Sequence, residues 1–218
     1  MLTLADEFVL LNLKDEGGAF ISLPRHVFAA CLAGAVLMDL ALRDRIDSDL
    51  DHLFVVSRQP TGHPVLDEAL HQIAANTDAK TTAAAVRILA ARDHDMKELI
   101  LARLCQEGIL TRRDGKALWV FPTRRYPIRD GRDIVEVKLR LMGILLRRDL
   151  PDGHDACLLS LVSIGNLARF LVPPADLVRA QHRLDQLSRL ELIGMRVREY
   201  IAAVQTDIDF AQMRGLGF

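Results

Sequence analysis

Pro24-Arg25-His26-Val27-Phe28-Ala29-Ala30-Cys31-Leu32-Ala33-Gly34-Ala35-Val36-Leu37-Met38-Asp39-Leu40-Ala41-Leu42-Arg43 is the stretch on which the fold turns. Proline suits the first turn of a helix, and Arg43 and Arg45 sit favourably at the negative end of its dipole. Between them Val27, Phe28, Leu32, Val36, Leu37 and Leu40 leave almost no polar face, so this helix is predicted to be central and buried on all sides. Its longest apolar run, residues 27–38, is far short of the ~20 residues a membrane span needs, and Asp39 closes it. Asp39 therefore requires a partner or an exposed edge.

Working outward, Thr3 with Asp6 and Glu7 caps a first helix whose Leu4, Phe8 and Leu11 share a stripe, and Asp15-Glu16-Gly17-Gly18 ends it. Downstream, residues 45–57 alternate around Leu53-Phe54-Val55-Val56 and predict a short hairpin. Pro60-Thr61-Gly62-His63-Pro64 is a rigid turn leading to helices over 65–75, 81–92 and 94–107, the last closed by Gly108. Strand-like runs at 109–111 and 117–121 flank Arg113-Asp114-Gly115, a tight-turn signal. Helices are then expected near 133–146, 155–170, 175–192 and 194–204. The fold class that emerges is mainly α: a helical bundle around a central apolar helix, with short β-hairpins. No repeat or linker divides it, so residues 1–206 are read as one domain and 207–218 as a C-terminal tail.

The chain has 218 residues, half of them apolar, and a net charge of −1, so no global field draws it to nucleic acid or lipid. The charge is unevenly placed. Acids dominate residues 1–56, while Arg and Lys dominate 112–148; such a basic stretch serves either a solvated face or an anionic partner. Cys31, Cys105 and Cys157 lie in apolar helical patterns and read as reduced, buried small hydrophobes. The acidic N-terminus does not read as a signal peptide, so a soluble protein is expected and any membrane role is peripheral.

The motifs of catalysis are missing from the sequence, and no catalytic residue, metal site or cofactor is assigned. Asp93-His94-Asp95 would point its ligands in different directions around a helix start, where Asp serves more simply as a cap. Ser160 and Ser163 have no His near them in sequence, and His26, His52, His63, His71, His94, His154 and His182 never fall four apart. What remains is a surface. Arg112, Arg113, Lys116, Arg124, Arg125, Arg129 and Arg132 flank Leu118-Trp119-Val120-Phe121. A Trp among bases suits an interface, and alternation with Phe121 equally allows it to pack inward. A helix followed by a basic hairpin also has the outline of a winged-helix DNA reader, but helix 94–107 offers only Lys97 and Arg103 to phosphates.

Five motifs in order resemble the Golgi phosphoprotein 3 family, in a form similar to its bacterial branch. These are Leu2-Thr3-Leu4-Ala5-Asp6-Glu7 with Leu11-Asn12-Leu13-Lys14-Asp15; Leu40-Ala41-Leu42-Arg43-Asp44-Arg45; residues 60–70 from Pro60-Thr61-Gly62-His63-Pro64 onward; Glu107-Gly108-Ile109-Leu110; and Phe121-Pro122-Thr123-Arg124-Arg125-Tyr126-Pro127. The resemblance implies a helical, non-catalytic protein on the cytoplasmic face of a membrane that binds phosphatidylinositol 4-phosphate and holds protein cargo. It also implies self-association through the hairpin equivalent to 117–127, hence a homo-oligomer using Leu118, Trp119, Val120 and Phe121. In the family one Trp and several Arg grip the headgroup. Here the Trp position falls on Pro24, one Arg on Ala33, and two further Arg on His94 and Lys97. Each lost charge-assisted contact costs on the order of 1.5–3 kcal/mol. With Arg25 added as a compensating base, a weaker anionic-lipid site is expected around Arg25, His94 and Lys97. The alternatives are a protein-binding scaffold whose lipid pocket has decayed, and a winged-helix-like nucleic-acid binder; nucleic acid is not the expected partner.

Overall fold

The first helix, α1 (Leu4–Leu11), starts as the sequence predicts. The Thr3 hydroxyl accepts from the Asp6 N–H, and the Asp6 carboxylate accepts from the Thr3 N–H at 2.8 Å, closing a capping box. All eight residues of α1 are buried, so the helix is enclosed on every side and not only along its apolar stripe. This is a computed structural model that describes residues 2–49, 52–116, 122–187 and 192–215.

The centre is α2 (Arg25–Leu42), with Pro24 as its N-cap and residues 29–40 buried. By length and composition alone α2 could cross a membrane, yet its surface is covered by α1, the helices α3 (Pro64–Ala75) and α4 (Thr82–Ala90), a later helix over Gly153–Ile164, and the C-terminal helix. Small residues on α2 permit the approach. A Cβ added to Gly34 would lie 2.6 Å from Val197 Cγ2, so α9 (Leu192–Gly215) seats on α2 at that point. Asp39 finds its partner in α1: it is 3 % exposed, and its two oxygens accept from the N–H groups of Leu4 and Ala5, each at 3.1 Å.

The fold is mainly α, with two short two-stranded antiparallel sheets among the described residues. The first, β1 (Ile46–Ser48) with β2 (Leu53–Val55), pairs Ile46 with Val55, as the alternation in 45–57 predicts. The second differs from the sequence reading. Arg113-Asp114-Gly115, read as a turn, lies within β3 (Arg113–Lys116), which pairs with β4 (Pro122–Arg125) so that Lys116 faces Pro122. Long-range bonds at the base of the ribbon override the local Asp-Gly signal. Thr111 N–H donates to Pro127 O at 2.9 Å and Arg129 N–H to Ile109 O at 2.8 Å, and this anchoring sets the register farther out. Leu118, Trp119, Val120 and Phe121 lie outside the described residues.

Between β2 and β3 runs α5 (Asp93–Gln106), terminated by Gly108 in the left-handed region, as expected. After β4 come α6 (Arg132–Met142) with a π-helical turn at Gly143–Arg147, α7 (Gly153–Ile164) and α8 (Leu177–Leu187). The helix read over 155–170 stops at Ile164, because Asn166 turns left-handed before a short 3₁₀ segment, Ala168–Phe170. The last helix runs the other way: α9 continues to Gly215, into the segment read as a tail.

Part of the charge asymmetry along the sequence is met within the fold. Glu7 on α1 receives Arg140 of α6 at 3.1 Å and His154 of α7 at 2.8 Å, while Asp6 receives Arg103 of α5. Lys138 pairs with Asp15, Arg124 with Glu98, and Arg132 with Asp130. Asp6, Glu7 and Asp15 of the acid-rich N-terminal stretch thus each meet a base from later in the chain. Cys31 and Cys157 are buried and Cys105 is half-buried, all as free thiols; burial pushes the Cys31 thiol up to about 12.

Candidate functional site

The chain between α1 and α2 builds one wall of a surface cavity. Gly17 and Gly18 take positive φ, and Gly18 lies so close to the Tyr126–Pro127 peptide that a Cβ would sit 2.1 Å from Tyr126 C. Only glycine fits there. The turn brings Phe20 opposite Leu13 in a β-bridge and points the chain back toward the start of α2. Phe20 then meets Phe28 edge-on at 5.9 Å and Tyr126 at 6.4 Å, forming an aromatic floor.

The opposite wall is the first turn of α5, which follows α4 after a turn at Ala91 and Arg92. The cavity encloses about 470 Å³, and Phe20, Phe28, Arg25, Asp93, His94 and Lys97 are among its lining residues. The three bases expected from the sequence therefore converge on one pocket. Arg25 is 81 % exposed along its side chain and donates from Nη2 to Asp93 Oδ1 at 3.1 Å; hydrogen bonding to that carboxylate raises its already high pKa. Lys97 holds its ammonium 5.3 Å from the centre of the Phe20 ring, a cation–π distance that fixes the charge over the floor.

Two helix N-termini also meet here. The N-caps of α2 and α5, Pro24 and Arg92, supply no side-chain hydrogen bond to the first-turn N–H groups. The positive ends of both dipoles thus add to Arg25 and Lys97, and an anion is the ligand this field favours.

Two residues fall differently from the family-based expectation. Ala33, aligned with a headgroup Arg, is wholly buried inside α2 and does not line the pocket. Pro24, aligned with the Trp, is exposed between the lining residues Leu23 and Arg25. Sequence reasoning missed Asp93 as a member of the site, having treated it as a cap, and missed Phe20 and Phe28. The signal for Asp93 was its place at a helix start; the signal for the aromatics was weak, because Phe20 follows an irregular Gly-Gly turn. Around Asp93-His94-Asp95 the two carboxylates do diverge, Asp93 toward Arg25 and Asp95 toward Arg92 at 3.5 Å.

A larger cavity of about 640 Å³ lies on the other face of α5, among α3, α4 and α5. Its floor of Val65, Ala69 and Met96 is apolar, and its rim sets Glu68, Asp95 and Glu98 against Arg92, a net negative charge and the wrong sign for a phosphate. Of the two α5 bases offered to a nucleic-acid backbone, Arg103 turns inward to Asp6 and Glu107. By side-chain charge, the smaller cavity is the better match for an anion.

Comparison with known proteins bears on the same elements. Vacuolar protein sorting-associated protein 74 from Eremothecium gossypii is 26 % identical over 170 residues, which cover 68 % of this chain. The chain spans about half the length of that curated relative, 50 %. Residues 4–204, from the capped start of α1 into α9, match the profile described as Golgi phosphoprotein 3 (GPP34). That match takes in the central helix, both hairpins and both walls of the basic pocket, and the chain belongs to the Golgi phosphoprotein 3 family.

Proposed function

We propose that this protein is a non-catalytic adaptor that docks peripherally on the cytoplasmic face of a membrane by holding an anionic phospholipid headgroup in the Arg25–His94–Lys97 pocket. The observation that carries the reading is convergence. Three bases from two separate segments, two uncapped helix N-termini and an aromatic floor share one open cavity of about 470 Å³. A phosphate there gains charge-assisted hydrogen bonds while the aromatic floor excludes water beneath it. Membership of the Golgi phosphoprotein 3 family supports the adaptor role, and the sequence resemblance names a phosphatidylinositol 4-phosphate-like headgroup as the first ligand to try.

Flotation with phosphatidylcholine vesicles, with and without an anionic lipid, tests it at low ionic strength, where surface charge is least screened. Anionic vesicles carry the protein upward and neutral ones do not, and Lys97→Ala weakens recovery about tenfold, the effect of one lost charge-assisted contact. Equal recovery on neutral and anionic vesicles sinks the reading and favours a protein-binding scaffold whose lipid pocket has decayed. Self-association and cargo binding belong to the same proposal. The β3–β4 ribbon is two-stranded among the described residues and so offers strand edges to a second copy; Leu118, Trp119, Val120 and Phe121, expected at this contact from the sequence, lie outside the described residues. A monomeric mass at micromolar concentration refutes that part.

A further inference from the structure

Asp93 is out of place in a pocket built purely for polyphosphate. It lines the cavity with a side chain only 10 % exposed, and it takes Arg25 onto Oδ1 at 3.1 Å. One carboxylate set against the two permanent cations leaves a single net positive side-chain charge. A phosphate brought onto the same guanidinium is held beside that carboxylate and is repelled by it in proportion to its own charge. A phosphomonoester carries about 1.5 to 2 negative charges at neutral pH, whereas a phosphodiester carries one. The second Asp93 oxygen, Oδ2, receives no hydrogen bond from the described residues, so it stands as an acceptor for a donor on the ligand.

Resting on the headgroup reading above, we infer that the pocket selects a polyol phosphodiester, a singly charged phosphate bearing free hydroxyls, over a headgroup with an added phosphomonoester. The diester phosphate sits on Lys97, His94 and the free edge of Arg25, near the two helix ends. Its hydroxyls reach Asp93. Glycerol and unphosphorylated inositol headgroups both carry this chemistry. In this division of labour Asp93 sets specificity and Lys97 sets affinity.

The test compares phosphatidylcholine vesicles carrying phosphatidylglycerol, phosphatidylinositol or phosphatidylinositol 4-phosphate, at equal total lipid charge, with the wild-type protein and with Asp93→Asn. Wild type binds the two diesters alike and the monoester about threefold more weakly than either. Asp93→Asn, which keeps the side-chain shape and removes the charge, raises binding to the monoester about tenfold and lowers binding to the diesters. Equal binding of monoester and diesters by wild type, or a preference for the monoester, overturns the inference, and that arm needs no variant to fold. An unchanged lipid ranking in a folded Asp93→Asn overturns it as well. If no anionic vesicle retains the protein even at low salt, the headgroup reading itself falls and takes this one with it.

Discussion

The N-terminus of α1 and those of α2 and α5 start from the same chemistry, a first turn of backbone N–H groups without helical partners, and the fold treats them oppositely. At α1 every such group is answered from within. Asp39 reaches across from α2 to the N–H groups of Leu4 and Ala5, Thr3 takes that of Asp6, and the site is sealed in the core. At α2 and α5 no side chain caps the first turn, and both ends open on the cavity that holds Arg25, His94 and Lys97. Completed caps belong to stability, and open ones are available to a ligand.

The contrast breaks most visibly at Asp39. Asp39→Ala strips two buried N–H groups of their acceptor and is expected to cost about 3 kcal/mol, since each unsatisfied donor costs roughly 1–3 kcal/mol. Urea denaturation measures it; a loss below about 0.5 kcal/mol would mean that water replaces the carboxylate and that the cap is not structural.

The same residue gives the next effect its sign. Burial raises the Asp39 carboxyl from 3.8 to about 6, against the hydrogen bonds from Leu4 and Ala5 that favour its charged form. A raised folded pKa means the native state binds the extra proton between about pH 4 and 6. The contribution of Asp39 is thus fully present below its unfolded pKa and is lost as pH rises through the folded value. His154, raised chiefly by its hydrogen bond to Glu7, works in the same direction above 6.5. Asp6 is lowered: burial acts against its charge, but the hydrogen bonds from Thr3 and the nearby His63 and Arg103 outweigh it, and Asp6 opposes Asp39 and His154 only below 3.8. Comparing wild type with Asp39→Asn across this range, wild type should lose stability relative to the variant as pH rises from 4 to 6. Parallel curves would remove Asp39 from the pH response.

The closed region was largely legible in the sequence, and the open one only in part. The apolarity of residues 27–38 announced a buried helix, and Asp39 at its close called for a partner or an exposed edge. Neither signal could say that the partner was the α1 backbone, because a contact between Asp39 and Leu4 depends on how two helices pack. His94 and Lys97 were legible through the order of motifs, and Arg25 only as a base beside the Pro24 position. The pocket's carboxylate was not, since Asp93 reads locally as an ordinary helix-start residue and gains its meaning only from Arg25, 68 positions away. The β3–β4 register failed for the converse reason: a strong local turn signal at Asp114-Gly115 was outweighed by pairing at residues 109–111 and 127–129.

A gentler probe of the closed region is Gly34→Ala. Its new methyl would lie 2.6 Å from Val197 Cγ2, and Val197 is wholly buried with a short branched side chain that has little room to turn aside. Overpacking of this kind costs about 1–3 kcal/mol, so a drop of about 2 kcal/mol is expected from denaturant melts. No loss would show that α9 can lift from α2 without penalty.

The smallest expected change in stability is also the most discriminating, because it lies on the open side of the comparison. Lys97 holds its ammonium over the exposed face of the Phe20 ring, and Arg25 meets Asp93 with most of its side chain in solvent. Cation–π contacts at exposed sites and surface ion pairs are each worth at most about 1 kcal/mol, and often nothing measurable. Arg25→Gln and Lys97→Gln should therefore leave the melting curve within about 0.5 kcal/mol of wild type while weakening anionic-vesicle binding about tenfold each. Stability and binding would then separate along one helix, α2, with Asp39 near its C-terminal end governing the first and Arg25 at its N-terminal end the second. If Arg25→Gln instead unfolds the protein as Asp39→Ala does, the Arg25–Asp93 pair is a structural clamp between α2 and α5, and the open helix ends have lost their claim to be a site.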